Sequence, residues 1–132
     1  MNTIMGIARS IRIGAVGLGH AFREDKSFRL EVVIGLPVYV ILAYVLAPLS
    51  PAEWILFVGS YIFILIIELI NTSIEKLLDR LHPEKHELIA KSKDIASAAV
   101  LLSFLLAGGI VLTLYFAHPT LMFQEDFLAP FA

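Results

Sequence analysis

Apolar positions follow two rhythms along the chain. Over residues 1–23, Ile4, Ile7, Ala8, Ile11, Ala15, Leu18 and Phe22 recur at steps of three and four, with Arg9 and Arg12 on other faces. That spacing predicts an amphipathic helix lying on a membrane surface. Three later blocks, about 31–48, 54–80 and 93–117, are apolar almost all round and long enough to cross a bilayer. The predicted fold is therefore an all-α membrane protein, with three transmembrane helices behind an N-terminal surface helix.

Smaller signals divide these elements. Glu24, Asp25, Lys26, Arg29 and Glu31 form a charged collar at the entrance to the first span. Pro37 sits in that span's first half, where a bundle tolerates a kink. Pro48 and Pro51 close the span in a tight turn, and Trp54 anchors the next one at the interface. A polar loop covers 82–91, with Pro83 expected to open a short helical turn. Ala96, Ser97, Ala98 and Ala99 form a small-residue patch expected to admit a close helix neighbour. Gly14, Gly17 and Gly19 lack the Lys-Ser/Thr ending of a phosphate loop and are expected to permit close helix approach. Gly108 and Gly109 are assigned to packing or a mild bend.

The second span departs from a plain lipid-facing helix. After an apolar run from Trp54 to Ile67 it carries Glu68, Asn71, Glu75 and Asp79. At 100° per residue, Glu75 and Asp79 lie within about 20° of Glu68, and Asn71 and Thr72 flank them. At ~1.5 Å of rise per residue, Glu68 stands ~21 Å from Trp54, inside a hydrocarbon layer ~30 Å thick. Glu75 lies ~10 Å further on, near the opposite water boundary. An acid at the depth of Glu68 is costly unless paired or solvated, and it marks a functional site.

Composition agrees with the pattern. Hydrophobic residues make up 58% of the 132, and the mean hydropathy is +0.84. A formal charge of −2 gives no basic excess of the kind nucleic-acid binding needs. The absence of cysteine excludes disulfides and thiolate metal sites. No cleavable signal peptide is expected, because no long apolar run occurs among the first thirty residues. The 10 cations fall in two groups, Arg9 to Arg29 and Lys76 to Lys93. By the positive-inside rule both groups are cytoplasmic, which leaves the Pro48–Pro51 turn and the tail at 118–132 outside.

The chemistry these positions allow is ordered by depth. Carboxylates at the water boundary suit a hard divalent cation such as Mg2+. Lys93, and an arginine of the surface helix, are suited to phosphate oxygens, and Glu84 and His86 in the loop to a nucleotide. Glu68, deeper and among apolar neighbours, suits a general base for a lipid hydroxyl. From the residues alone, two other uses of such acids stay open: a structural ion pair and a proton or ion relay.

The run Glu68-Leu69-Ile70-Asn71-Thr72-Ser73-Ile74-Glu75-Lys76-Leu77-Leu78-Asp79-Arg80 resembles the signature of the prokaryotic diacylglycerol kinases, small integral-membrane lipid kinases. His86-Glu87-Leu88, Lys91, Lys93-Asp94 and Ser97-Ala98-Ala99-Val100 continue the likeness in register, as do Phe28-Arg29 and Glu31 upstream. The resemblance covers roughly residues 17–115. It implies a homotrimer of three-span subunits that transfers the γ-phosphate of MgATP to a lipid hydroxyl at the cytoplasmic boundary. Carried over residue by residue, it implies Glu68 as catalytic base and Glu75 as a metal ligand. Asn71, Lys93 and Asp94 become further active-site residues, with Glu84 and His86 beside the nucleotide. Asp25 stands where the family usually has a metal-binding glutamate. Arg9 is assigned to ATP, and Ser97 and Glu31 to the lipid substrate. Undecaprenol is the rival acceptor on this scaffold. A small proton-coupled transporter or channel relaying through Glu68 is the rival of a different class.

Overall fold

The computed structural model describes residues 2–84 and 86–118, all of whose regular structure is helical. The expected interfacial tail, with Leu121, Phe123, Phe127 and Phe131, lies outside the described residues. Helix α1 runs Asn2–Glu24. It is followed by three helices long and apolar enough to cross a membrane: α2 (Lys26–Leu46), α3 (Pro51–Leu81) and α4 (Glu87–Ala117).

α1 is amphipathic in sequence yet has no protein core of its own. Ile4, Ile7, Ile11 and Leu18 are all at least half exposed, and among its described side chains only Ala21, near its end, is buried. An apolar stripe left uncovered on a basic helix is what an interfacial helix presents to lipid. Gly14, Gly17 and Gly19 do not serve close helix approach here: a Cβ at any of them would meet open space. Gly14 and Gly17 stand across an open hollow from Leu69, Thr72 and Ser73 of α3. α1 is instead tethered by charge, since Glu24 takes the Lys76 ammonium of α3 and the His20 ring.

The chain then bends at Asp25, whose extended backbone ends α1 and whose carboxylate caps α2 by accepting from the Phe28 amide at 2.6 Å. Aspartate is among the best residues for this, because its short side chain reaches back to an orphan amide. Within α2, residues Glu31–Gly35 form a π-helical turn just before Pro37. Proline offers no amide and its ring crowds the carbonyl four residues earlier. The kink expected at Pro37 is absorbed by this widened turn.

α3 starts under a complete capping box. The Ser50 amide donates to Glu53 Oε2 at 2.8 Å, and the Glu53 amide to Ser50 Oγ at 3.4 Å. Its buried side chains, Phe57, Ser60, Ile64, Glu68, Asn71 and Thr72, recur at steps of three and four along one face. α4 meets it with Ser103, Ala107 and Leu114, preceded on the same face by half-buried Lys93, Ala96 and Val100. Of the Ala96–Ala99 patch Ala96 is half-buried and Ser97 lines a cavity between the helices, while Ala98 and Ala99 are exposed, because consecutive helix positions point about 100° apart. Gly108 and Gly109 have open space beside them.

Leu46, Phe57 and Leu114 form the core at the Trp54 end, surrounded by Tyr39, Leu42, Ala43, Leu49, Ile110 and Val111. The same end is closed by His118, whose Nε2 lies 2.7 Å from Glu53 Oε1. At the other end, the helical turn expected at Pro83 is not seen among the described residues 82–84 and 86. Instead α4 begins at Glu87, with His86 Nδ1 accepting from the Leu88 amide at 3.2 Å. α3 and α4 therefore extend beyond the apolar blocks that announce them.

Lys76, hydrogen-bonded to the Glu24 carboxylate, and His20 beside it hold Glu24 below its ordinary value of 4.5. A lowered folded-state value means the tether is fully present above the ordinary value and is lost as pH falls through the lowered one. We expect limited proteolysis of α1 to accelerate only in that acid range, and Glu24→Gln to show the same acceleration already at neutral pH. Unchanged cleavage of the variant would show that the pair does not hold α1.

Candidate functional site

The acidic stripe of α3 does not face lipid. Glu68 is 3% exposed and Asn71 8%. Both open, with half-buried Glu75, into a cavity of about 310 Å³ whose other walls come from α2 and α4. The cap at the start of α2 contributes Asp25 and Ser27, and the first residue of the π-helical turn contributes Glu31. α4 closes the far side with Ser97, Val100 and Phe104. Six of the predicted site residues, Asp25, Glu31, Glu68, Asn71, Glu75 and Ser97, thus share one cavity although they belong to three helices.

Four of these six carry carboxyl groups, and such a cluster favours a bound cation or a shared proton. Asn71 steadies the group by donating from Nδ2 to Glu75 Oε1 at 3.3 Å. Its Oδ1, and Oε2 of Glu31, are buried without a partner among the described residues. Buried polar atoms left this way require a partner that the fold itself does not supply. Glu24 is not part of the cavity: it turns towards Lys76 and His20. Where two adjacent acids compete for the role of cavity ligand, the backbone break at Asp25 sends them in different directions.

Three further predicted residues assemble beyond Glu75, where α3 ends and α4 begins. Glu84, His86 and Lys93 line a cavity of about 390 Å³ with Asp79 and His82. Lys93 Nζ is 2.5 Å from Asp79 Oδ1. His86 Nδ1 is committed to its cap, so a neutral ring carries its proton on Nε2. Asp94 is exposed and lines neither cavity, and Arg9 is exposed on α1 away from both. Ser27 and Phe104 were not anticipated. Ser27 lies two residues past the Asp25 cap, a position visible only once the helix break is placed.

Among the described residues, no three acidic or histidine side chains are grouped closely enough to hold a metal ion by themselves. Magnesium asks for less, since it is commonly held by one or two carboxylates together with substrate phosphates. Asp25 and Glu75 approach one cavity from different helices. An ionised carboxylate retains acceptor capacity after one hydrogen bond, so both fit such a pair.

The sequence profile of the prokaryotic diacylglycerol kinases matches residues 12–115. The chain belongs to this family. It is 32% identical over 109 residues to the diacylglycerol kinase of Escherichia coli K12, covering 80% of this chain and 88% of the relative. It is 38% identical over 104 residues to that of Helicobacter pylori J99, covering 76% and 80%. For the Haemophilus influenzae enzyme the figure is 31% over 108 residues, covering 77% and 85%. As a family member the chain is a kinase, and its three apolar helices make it one of the membrane-embedded kind.

One polar residue of the signature faces away from the acidic cavity. Thr72 is 6% exposed, lies towards α1, and its Oγ1 has no partner among the described residues. Replacing an unsatisfied buried hydroxyl by a methyl of the same shape removes a desolvation cost. Thr72→Val is therefore expected to raise the thermal midpoint in detergent, by about 1 kcal/mol of stability. A lowered midpoint would reveal a hydroxyl partner outside the chain.

Proposed function

We propose that this protein transfers the γ-phosphate of ATP to the free hydroxyl of diacylglycerol, giving phosphatidic acid and ADP. The observation that carries the reading is the shared cavity. A buried acid, Glu68, opens into the same space as Glu75 two turns away and Asp25 from the helix break. A transporter relay needs a path through the membrane rather than this pairing of a deep base with boundary ligands. The names of the curated relatives point the same way.

In this reading Glu68 accepts the proton of the lipid hydroxyl as the oxygen attacks the γ-phosphorus and the bond to the β-phosphate oxygen breaks, releasing ADP. Ser97 and Glu31 line the cavity beside Glu68 and hold the lipid head. Asn71 keeps Glu75 in place. Lys93, Glu84 and His86 receive the nucleotide, whereas Asp94 and Arg9 line neither cavity and are given no part in holding it. A magnesium ion held by Asp25 and Glu75 with the phosphate oxygens would neutralise charge on the transferring group. Phosphoryl transfer asks the protein mainly for position and charge, so this set is sufficient. The apolar faces of α2 and α4 left uncovered by the chain are assigned to lipid and to the neighbouring subunits of a homotrimer. The site sits at the cytoplasmic boundary of a bacterial inner membrane, with the N-terminus inside and the C-terminus outside.

The test is ATP consumption by the purified protein in mixed micelles with diacylglycerol, with undecaprenol, and without lipid. Diacylglycerol-dependent turnover is expected. Turnover with undecaprenol alone would transfer the assignment to that acceptor, and none with either would remove it. Glu68→Gln is expected to lose at least ~100-fold in kcat while the oligomer survives. Asp25→Asn should raise the magnesium concentration needed for half-maximal rate, whereas Glu24→Gln should not, because Glu24 is turned towards Lys76. Equal effects of the two changes would sink the assignment of Asp25.

A further inference from the structure

The π-helical turn at Glu31–Gly35 is held from outside its own helix. Wherever an α-helix widens to this pitch, the regular four-residue ladder is interrupted and a carbonyl is left to find another donor. Here the Glu31 carbonyl accepts from the Tyr61 hydroxyl of α3 at 2.9 Å. The Tyr61 ring lies against Gly35 at the end of the same turn, so close that a Cβ there would stand 3.1 Å from Cε2. The ring is backed by Tyr39, 4.6 Å away between centroids, whose own hydroxyl is 3.1 Å from Ser60 Oγ. Tyr61 thus grips both ends of the turn, its hydroxyl at the first residue and its ring at the last. The gripped first residue is the one whose carboxylate enters the acidic cavity.

We infer that Tyr61, seated on Gly35, is a positioning residue for the lipid acceptor, acting through the backbone of Glu31 to set where the Glu31 carboxylate stands in the cavity. Tyr61 does not itself line the cavity, and its effect is transmitted through the turn. The alternative is that it only fastens α2 to α3. The neighbouring Tyr39–Ser60 contact joins the same two helices without touching Glu31, and provides the control. The inference rests on the proposed role of Glu31 at the lipid, so its test has an arm that does not depend on activity.

The hydroxyl is removed by Tyr61→Phe, which keeps the ring, and the control bond by Ser60→Ala. Hydrogen exchange of the backbone over residues 31–36 is compared in parent and both variants, followed by KM and kcat for diacylglycerol and for ATP. Tyr61→Phe should speed exchange in that stretch and raise the KM for diacylglycerol roughly three- to tenfold, the effect of one lost neutral hydrogen bond, while leaving the KM for ATP unchanged. Ser60→Ala should leave both readouts near the parent. Unchanged exchange in Tyr61→Phe overturns the inference whether or not the parent is a lipid kinase. In an active parent, so does an unchanged lipid KM, or equal rises in the lipid and ATP KM values. A parent with no lipid-dependent turnover defeats the proposed function separately, and the exchange comparison still decides whether the hydroxyl holds the turn.

Discussion

Hydrocarbon does not tolerate an uncovered carboxylate, and the arrangement of these helices answers to that constraint. α3 carries Glu68, Asn71 and Glu75 along the face that also bears its buried apolar residues. That helix is consequently the most enclosed of the three spans, with 33% of its apolar window buried against 6% in α2 and 11% in α4. The cost of taking an acid out of water falls away only where polar walls replace the water. The walls here include the hydroxyls of Ser27 and Ser97 together with the acids Asp25 and Glu31, and acids gathered in one cavity need a proton or a cation between them. A helix face that begins as Phe57 and Ile64 ends as a reactive surface, with no change in the packing rule that buries it.

The two ends of the bundle do different work. Near Trp54 the contacts are aromatic and aliphatic, with Tyr39 against Phe57 at 4.9 Å and Trp54 edge-on to Phe57 at 6.0 Å. Glu53 and His118 fasten the start of α3 to the end of α4. Such packing fixes the helices relative to one another. At the other end the side chains between the helices are short and polar, and space remains among them. Close packing at the Trp54 end therefore lets the open end keep its geometry, as a preorganised site requires.

Much of this was legible from residue order. The three spans, the surface helix and the shared face of Glu68 and Glu75 follow from periodicity and hydropathy alone. Hydropathy measures the length immersed in lipid, not the length of helix, which is why α4 starts at Glu87 and not near Lys93. Pro37 announces a local disturbance, but the donor that completes it, Tyr61, lies on another helix, and no local pattern connects the two. Gly14, Gly17 and Gly19 suggested close contacts that are not made among the described residues, whereas Gly35, unremarked in the sequence, makes one. Small residues show where approach is allowed, and the partner's geometry decides where it happens. Likewise Glu24 and Asp25 are equivalent on paper until the chain bends between them.

That bend has a mechanical meaning. Asp25 is at once the residue that redirects the chain from the surface helix into the bilayer and a wall of the acidic cavity. A tilt of α1, as when the leaflet thins or its headgroups change, pivots about this residue. The same side chain would carry such a tilt inward, to the carboxylates of the cavity.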